Sequence, residues 1–403
     1  MAWVKNRVLL VLVGAGAAAA AGLPFLTHAP NRLVLGTGIS LAATIASSAE
    51  AARAWALATI AAPALLLAAS VFVRPGRAAH LGVIVCATVL LTGFVSLAGI
   101  HAAQLASIAN ELAPKANPDI ARTSFGGAFW IVAALSWLTA SDAIARLGLK
   151  PVSRLLATAA VVAPVLICLA AGWLDQLSLL KEYAHRADAF STALRQHAEI
   201  VVESMVPSLV IGVPLGIAST RDNRWMNALR TPLFAGLNVV QTIPSIALFA
   251  LLLAPLALLA SHVPILGRLG IKGVGLAPAV IALTLYALLP IVRSTAAGIR
   301  QVPRPVVDAA TGMGMSPRQV FWKVEAPLAF PVFAAGLRVA TVQTIGMAVV
   351  AALIGAGGLG AIVFQGLLGG ALDLVLLGVL PVVAMALVVD AVLATLASSI
   401  GVR

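Results

Sequence analysis

The chain is 403 residues long, 61% hydrophobic and only 10% charged. A soluble globular domain carries roughly 25% charged residues, so that class is excluded and a polytopic helical membrane protein is implied. The formal net charge of +12 fits basic residues gathered in short loops on one side of a bilayer, and no compact basic stripe with interleaved aromatics points to nucleic acid.

A membrane span needs roughly 20 apolar residues. The first candidate is 8–26, behind Lys5 and Arg7. Its basic start and small residues resemble a signal peptide, but many spans follow, so it reads as an uncleaved anchor. Residues 27–53 mix polar and apolar types and are placed outside. Spans follow at 54–73, 79–100, 127–145 and 155–174, with a tight basic turn at 74–77 and a polar loop at 101–126. The stretch 175–197 reads as a mixed-charge loop with an amphipathic pattern. The second half offers spans at 198–219, 233–253, 276–299, 328–354 and 374–400, with an apolar loop broken by Gly and Pro at 254–275. The expectation is an all-α membrane protein of about ten transmembrane helices. Placing both termini in the cytoplasm puts most of the 26 Lys and Arg in cytoplasmic loops and ends. Cys86 and Cys168 fall in spans and read as small buried hydrophobes, with no disulfide framework and no metal site.

Between two of these spans lies a conspicuously polar insert, 308–327. Pro305 can open a short helix, and Asp308 then falls in its first turn, where the helix dipole favours a carboxylate. Gly312 and Gly314 are natural stops. Ser316 and Gln319 have capping-box spacing, with Pro317 at the first helical position. Pro327 breaks this second helix or begins the next. Val306, Val307, Met313, Met315, Phe321 and Trp322 give the insert apolar residues with nothing obvious in the chain to cover them. Two readings stay open on these residues alone: a segment that docks into a partner's groove, or an amphipathic segment resting on the membrane surface.

The residues Asp308-Ala309-Ala310, Gly314, Val324 and Ala326-Pro327 resemble the EAA loop of binding-protein-dependent ABC importer permeases. That loop reads Glu-Ala-Ala, three residues, Gly, nine residues, Ile, one residue, Leu-Pro. Asp308 and Val324 are conservative replacements, and Ala326 departs from the usual Leu. Residues 241–247 (QTIPSIA), 336–338, 345–346 and 355–360 (GAGGLG) are similar to the glycine betaine, carnitine and choline subfamily. The resemblance covers 198–403. The five spans before it make the chain similar to Yeh-type osmoprotectant permeases with an N-terminal extension.

The resemblance implies a type I ABC permease core of five helices at 198–403, preceded by a membrane extension at 1–197. It implies a permease subunit, in the bacterial inner membrane, of an ATP-driven importer of osmoprotectants such as glycine betaine. The implied partners are an ABC ATPase subunit, a second permease subunit of the same or a different chain, and a periplasmic substrate-binding protein. ATP and Mg belong to the ATPase partner, and no cofactor is implied in this chain. The segment 305–327 becomes the ATPase-coupling loop, carried by Asp308, Ala309, Ala310, Met313, Gly314, Met315, Phe321 and Pro327. Asp308 would serve helix geometry, the two alanines close approach, Gly314 the turn, and Met313, Met315 and Phe321 the docking.

Other motifs are weaker. Asn238, Gln241, Thr242 and Ser245 are polar residues in one span, and Gln241 and Ser245 share a helix face. They are pore-lining candidates, against helix–helix hydrogen bonding of roughly 1 kcal/mol each. Gly355, Gly357 and Gly360 satisfy G-x-G-x-x-G, but a dinucleotide fold needs a preceding strand. With Gly358 they read as a turn or close packing that helps shape an outer gate. No G-x-x-x-x-G-K-[ST] occurs, the six histidines are dispersed, and no nucleophile elbow is present, so enzymatic chemistry has no support. Arg338 lies inside a span, where a charge needs a partner, and Asp390 is its candidate. Quaternary ammonium ligands are usually held in aromatic cages, yet aromatics are only 5% here, which places selectivity in the binding protein. The competing class is a single-chain secondary transporter or channel. Five plus five spans would suit inverted repeats, but the halves lack sequence similarity and mid-membrane carboxylates are scarce.

Overall fold

The computed structural model describes residues 5–31, 36–112, 121–221, 224–263, 265 and 273–400. Two compact units divide between His185 and Arg186. The reason is the helix Ala187–Ala218, 32 residues long. Its first turns carry charges and read as loop, yet they bury Ala193, His197 and Ile200.

In the first unit, α1 (Arg7–Gly22) begins where the Asn6 side chain accepts the Leu9 N–H at 3.1 Å. It is 16 residues long and stops short of the expected 8–26. Pro24 cannot continue a helix, and Leu26 already begins a strand. That strand, β1 (Leu26–Ala29), is the centre of a small antiparallel sheet with β2 (Thr37–Ile39) and β3 (Arg122–Phe125). Leu26 is opposite Ile39 on one side and Phe125 on the other. These strands lie in segments read as outside loops, where runs this short carry no visible alternation. The helices are α2 (Leu41–Ser47), α3 (Glu50–Ser70), α4 (Arg77–Leu112), α5 (Gly127–Arg146), α6 (Pro151–Ala170) and α7 (Ser178–His185). The core joins Phe25, Phe94 and Phe129, with Phe25 edge-on to Phe94 at 5.4 Å.

The second unit holds α8 (Ala187–Ala218), α9 (Arg224–Thr242), α10 (Ser245–His262), α11 (Leu276–Arg300), α12 (Arg304–Gly312), α13 (Pro317–Ala348), α14 (Leu359–Leu368) and α15 (Leu372–Ile400). The expected span 233–253 is cut in two at Ile243-Pro244. Proline fixes its own φ and disfavours helix in the residue before it. The Ile243 carbonyl exposed by the break accepts the Tyr286 hydroxyl. The expected loop at 254–275 is helical to His262; Arg268 and Lys272 lie outside the described residues.

Lipid offers no hydrophobic drive for helices to associate, so small residues and polar contacts hold them. Helix α8 presents Ser204, Ser208, Gly212 and Gly216 at four-residue spacing, one face of a helix, and all are buried. The Ser208 hydroxyl donates to Thr284 O at 3.3 Å, and the Thr284 hydroxyl donates to Ser204 O at 3.1 Å. A Cβ at Gly216 would lie 2.5 Å from that of Thr295, and one at Gly212 would lie 2.8 Å from Ile291. Helices α8 and α11 therefore pack backbone to side chain along their length.

Among the described residues, nine helices are long and apolar enough to cross a membrane. Four are in the first unit (α3, α4, α5, α6) and five in the second (α8, α10, α11, α13, α15). They answer to nine of the ten expected spans. The tenth is α1, which is apolar but too short.

Candidate functional site

The polar insert folds as a helical hairpin at one end of the second unit. Pro303 is extended, with φ −61° and ψ 127°, and α12 starts at Arg304 with Pro305 second. Asp308 therefore lies beyond the first turn, which holds no acid, and not within it as expected. The helix closes at Gly314, whose φ is +81°. Its N–H bonds Thr311 O at 2.9 Å, and the Met315 N–H bonds Ala310 O at 3.2 Å. Such a pair of bonds ends a helix around a left-handed residue, a conformation glycine adopts without steric penalty. Ala310 is buried in the hairpin, while Asp308 and Ala309 are exposed.

The second arm opens with the expected capping box. Ser316 Oγ accepts the Gln319 N–H at 3.4 Å, and Gln319 Oε1 accepts the Ser316 N–H at 2.8 Å. The chain then passes through a wide, π-type turn at Phe321–Glu325, closed by the Ala326 N–H on Phe321 O. Pro327, with no N–H to offer, takes the second position of the resumed helix. It thus stands at the start of the regular helix Ala326–Ala348, as expected, while the wide turn keeps Pro317–Ala348 continuous into the membrane-length segment.

Three large apolar side chains on the hairpin are exposed, Met313 at 72%, Trp322 at 71% and, less so, Val306 at 42%. Met315 and Phe321 are half-buried. The Phe321 ring lies beneath the Arg221 guanidinium, 5.6 Å from its carbon, and edge-on to Trp322 at 5.0 Å. Arg221 follows the end of α8 and grips Glu325 with both terminal nitrogens, at 3.1 and 2.5 Å. Glu325 is 7% exposed. Beside this pair, Arg300 at the end of α11 donates to Ser219 O at 3.3 Å. The hairpin thus exposes Met313 at its turn and Trp322 on its second arm, and is tied at its base to α8. Sequence reasoning missed Arg221 and Glu325. The one signal for Glu325 was a lone acid at the mouth of an apolar run.

The polar stripe divides. Asn238 accepts from Arg293 at 2.7 Å, and Gln241 donates to Tyr286 O. Both tie α9 to α11. The Thr242 hydroxyl returns to its own helix at Val239 O and is exposed, and Ser245 opens α10 after the Pro244 break. The four do not share one continuous helix, because Thr242 and Ser245 sit on opposite sides of that break.

At the opposite end of α8 lies the glycine-rich turn. Gly355, Gly357 and Gly358 have φ of +82°, +79° and +76°, so the turn is built on conformations that other residues resist. Gly360 sits against Val349 O, which a Cβ would meet at 2.0 Å. The turn is clasped from α8. Gln196 Oε1 accepts the Gly358 N–H at 3.1 Å, and His197 Nε2 lies 3.1 Å from Ile345 O with its ring fully buried. The Gly275 N–H, just before α11, bonds Ile354 O at 2.8 Å. Gln196 and His197 were invisible as functional residues because they fell in a presumed loop.

Residues 212–402 match the family profile described as "Binding-protein-dependent transport system inner membrane component", and residues 5–180 match "ABC transporter permease YehY, N-terminal domain". The osmoprotectant import permease protein OsmW of Salmonella typhimurium is 39% identical over 199 residues, covering 48% of this chain and 84% of the relative. The chain belongs to the binding-protein-dependent ABC permease family. The glycine betaine/carnitine/choline permease protein OpuCB of Bacillus subtilis is 37% identical over 199 residues, 49% of this chain and 82% of that one. EgtU of Helicobacter pylori, an ergothioneine transport permease/binding protein, is 41% identical over 159 residues, 40% of this chain and 25% of its own. As an ABC permease the chain is the multi-pass transmembrane component of an importer, and ATP hydrolysis resides in a separate subunit. The resemblance read from 308–327 and from the second half thus led to the right family, and the extension to the Yeh type.

Proposed function

We propose that this ABC permease imports osmoprotectants, and that its hairpin 304–327 is the lever driven by the ATPase. The observation that carries the lever is the pair of exposed side chains, Met313 and Trp322, on a hairpin fixed by a glycine turn, a capping box and the Arg221–Glu325 pair. Exposed apolar side chains on a hairpin held by its own bonds fit a groove in a soluble partner better than they fit lipid. Stiffness serves the role, because a limp loop would absorb a push from closing ATPase subunits. Asp308, Ala309, Ala310, Gly314, Met315 and Pro327 shape the lever. Phe321 braces its base, and Trp322 takes the docking place first given to Phe321.

The pore would form with a second permease subunit, beside Asn238, Gln241, Thr242 and Ser245. The turn at Gly355, Gly357, Gly358 and Gly360 is a gate element on the opposite face from the hairpin. The hairpin and both termini face the cytoplasm, and a binding protein delivers substrate from the other side. The substrate class is quaternary ammonium compounds such as glycine betaine. Support comes from the relatives named for glycine betaine, carnitine and choline, and the scarcity of aromatics leaves selection to the binding protein.

The test is reconstitution with the ATPase and binding protein in vesicles. ATP-dependent accumulation of labelled glycine betaine is expected. Accumulation by the chain alone, without ATP, would make it a secondary transporter instead.

A further inference from the structure

Helix α8 is held just past its hairpin end, and again about a third of the way along from its start, by side chains that reach other parts of the permease core. Just past its hairpin end, Arg221 makes two bonds to the buried Glu325 and covers Phe321. Toward its other end, Gln196 bonds the Gly358 N–H and His197 lies against Ile345 O. Helix α8 has 32 residues, and the stretch from Gln196 to its end at Ala218 spans about 33 Å at 1.5 Å per residue. Two internal prolines, Pro207 and Pro214, would ordinarily let such a helix flex. Here that stretch is the one splinted to α11 through Ser204, Ser208, Gly212 and Gly216. A chain of packed side chains and hydrogen bonds along a rigid element carries coupling between distant sites.

We propose that Arg221, Glu325, Gln196 and His197 are positioning residues that make α8 a transmission rod between the hairpin and the glycine-rich turn, a reading that rests on the lever role given to the hairpin above. Displacement of the hairpin moves Glu325. The bidentate pair passes that movement to the end of α8, since a planar guanidinium on a carboxylate resists both sliding and rotation. The far end then shifts the Gly358 backbone through Gln196. His197, whose Nδ1 has no hydrogen-bond partner while Nε2 faces Ile345 O, fixes the spacing between α8 and α13 at that level.

The test uses the full complex with its ATPase, with Cys86→Ser and Cys168→Ser in the permease. A single reporter, Leu353→Cys, sits beside the glycine turn, where the native side chain is 50% exposed. In the unsubstituted rod, a non-hydrolysable ATP analogue should change the maleimide labelling rate of this cysteine. Glu325→Gln is expected to shrink that nucleotide-induced change by roughly tenfold, a typical size for coupling between sites, while the ATPase still co-purifies. Exchange of the charges, Arg221→Glu with Glu325→Arg, should restore most of it. Gln196→Leu tests the other end without touching the ion pair and should give the same loss. A full nucleotide-induced change in Glu325→Gln or in Gln196→Leu overturns the rod. Absence of ATPase from the unsubstituted complex would instead sink the lever reading itself.

Discussion

Arg338 of α13 and Asp390 of α15 form a bidentate ion pair, 2.8 Å from Nε to Oδ1 and 2.7 Å from Nη2 to Oδ2. Both side chains keep more than a third of their surface uncovered within one chain. A charge this deep in a membrane-length segment needs a counter-charge, and each residue supplies the other's. Asp390→Asn should therefore destabilise the protein by about 2 kcal/mol, the cost of one unpaired charge in a membrane helix after allowance for partial exposure. The double change Arg338→Leu with Asp390→Leu should be milder than either single change, because it leaves no orphan. Thermal melting of the detergent-solubilised protein compares the three.

Met313→Asp and Trp322→Asp each place a charge on the exposed apolar surface of the hairpin and leave its hydrogen bonds intact, the second also removing the edge-on contact with Phe321. Each should weaken ATPase binding by about 2 kcal/mol or more, as for a central apolar anchor of an interface. Pull-down of the ATPase on the immobilised permease reads this, and the permease's own melting temperature should stay unchanged.

Sidedness is open to a chemical test. A cysteine at Met313, 72% exposed, should react with an impermeant maleimide only from the cytoplasmic side. Reaction from the outside would invert the proposed orientation.

The glycine turn gives a graded series. Gly355→Ala meets only an ordinary contact, Gly275 N at 4.0 Å, and pays chiefly for its positive φ, about 1 kcal/mol. Gly357→Ala adds a contact at 2.5 Å with the flexible end of Gln196, and Gly360→Ala drives a Cβ to 2.0 Å from the Val349 carbonyl. Loss of melting temperature should rise in that order.

His28, on the small sheet of the first unit, has its pKa pushed below the ordinary histidine value, chiefly by burial and then by the Lys181 charge. The fold therefore favours neutral imidazole, whose Nδ1 meets the Thr123 hydroxyl at 3.0 Å. The unfolded chain binds the extra proton more readily, so the stability from this group is full above a pH of about 6.5 and is lost as the pH falls below it. Melting curves from neutral to mildly acid pH should show that slope, and His28→Gln should flatten it.

Much of the hairpin was legible because its determinants are local. Ser316 and Gln319 cap each other across three residues, and Gly314 stops α12 where a glycine should. The Arg338–Asp390 pair was legible by elimination, since a charge inside a span must find an opposite one. The break at Pro244 was overlooked because apolar residues flank it on both sides and hydropathy runs through it. The start of α8 was read as a loop for the opposite reason: its charges masked a buried face that only packing reveals. Arg221 and Glu325 are 104 residues apart, and nothing in either neighbourhood announces the other.

The wide turn at Phe321–Glu325 sets a phase. Each residue of an α-helix advances the facing direction by about 100°, so one residue more or fewer there would swing the whole hairpin around the axis of α13. Trp322 would then point elsewhere, and Glu325 would turn away from Arg221. Residue count between Pro317 and Pro327, more than the identity of most residues within it, is what aims the hairpin, and a single deletion in this stretch should be harsher than any single substitution.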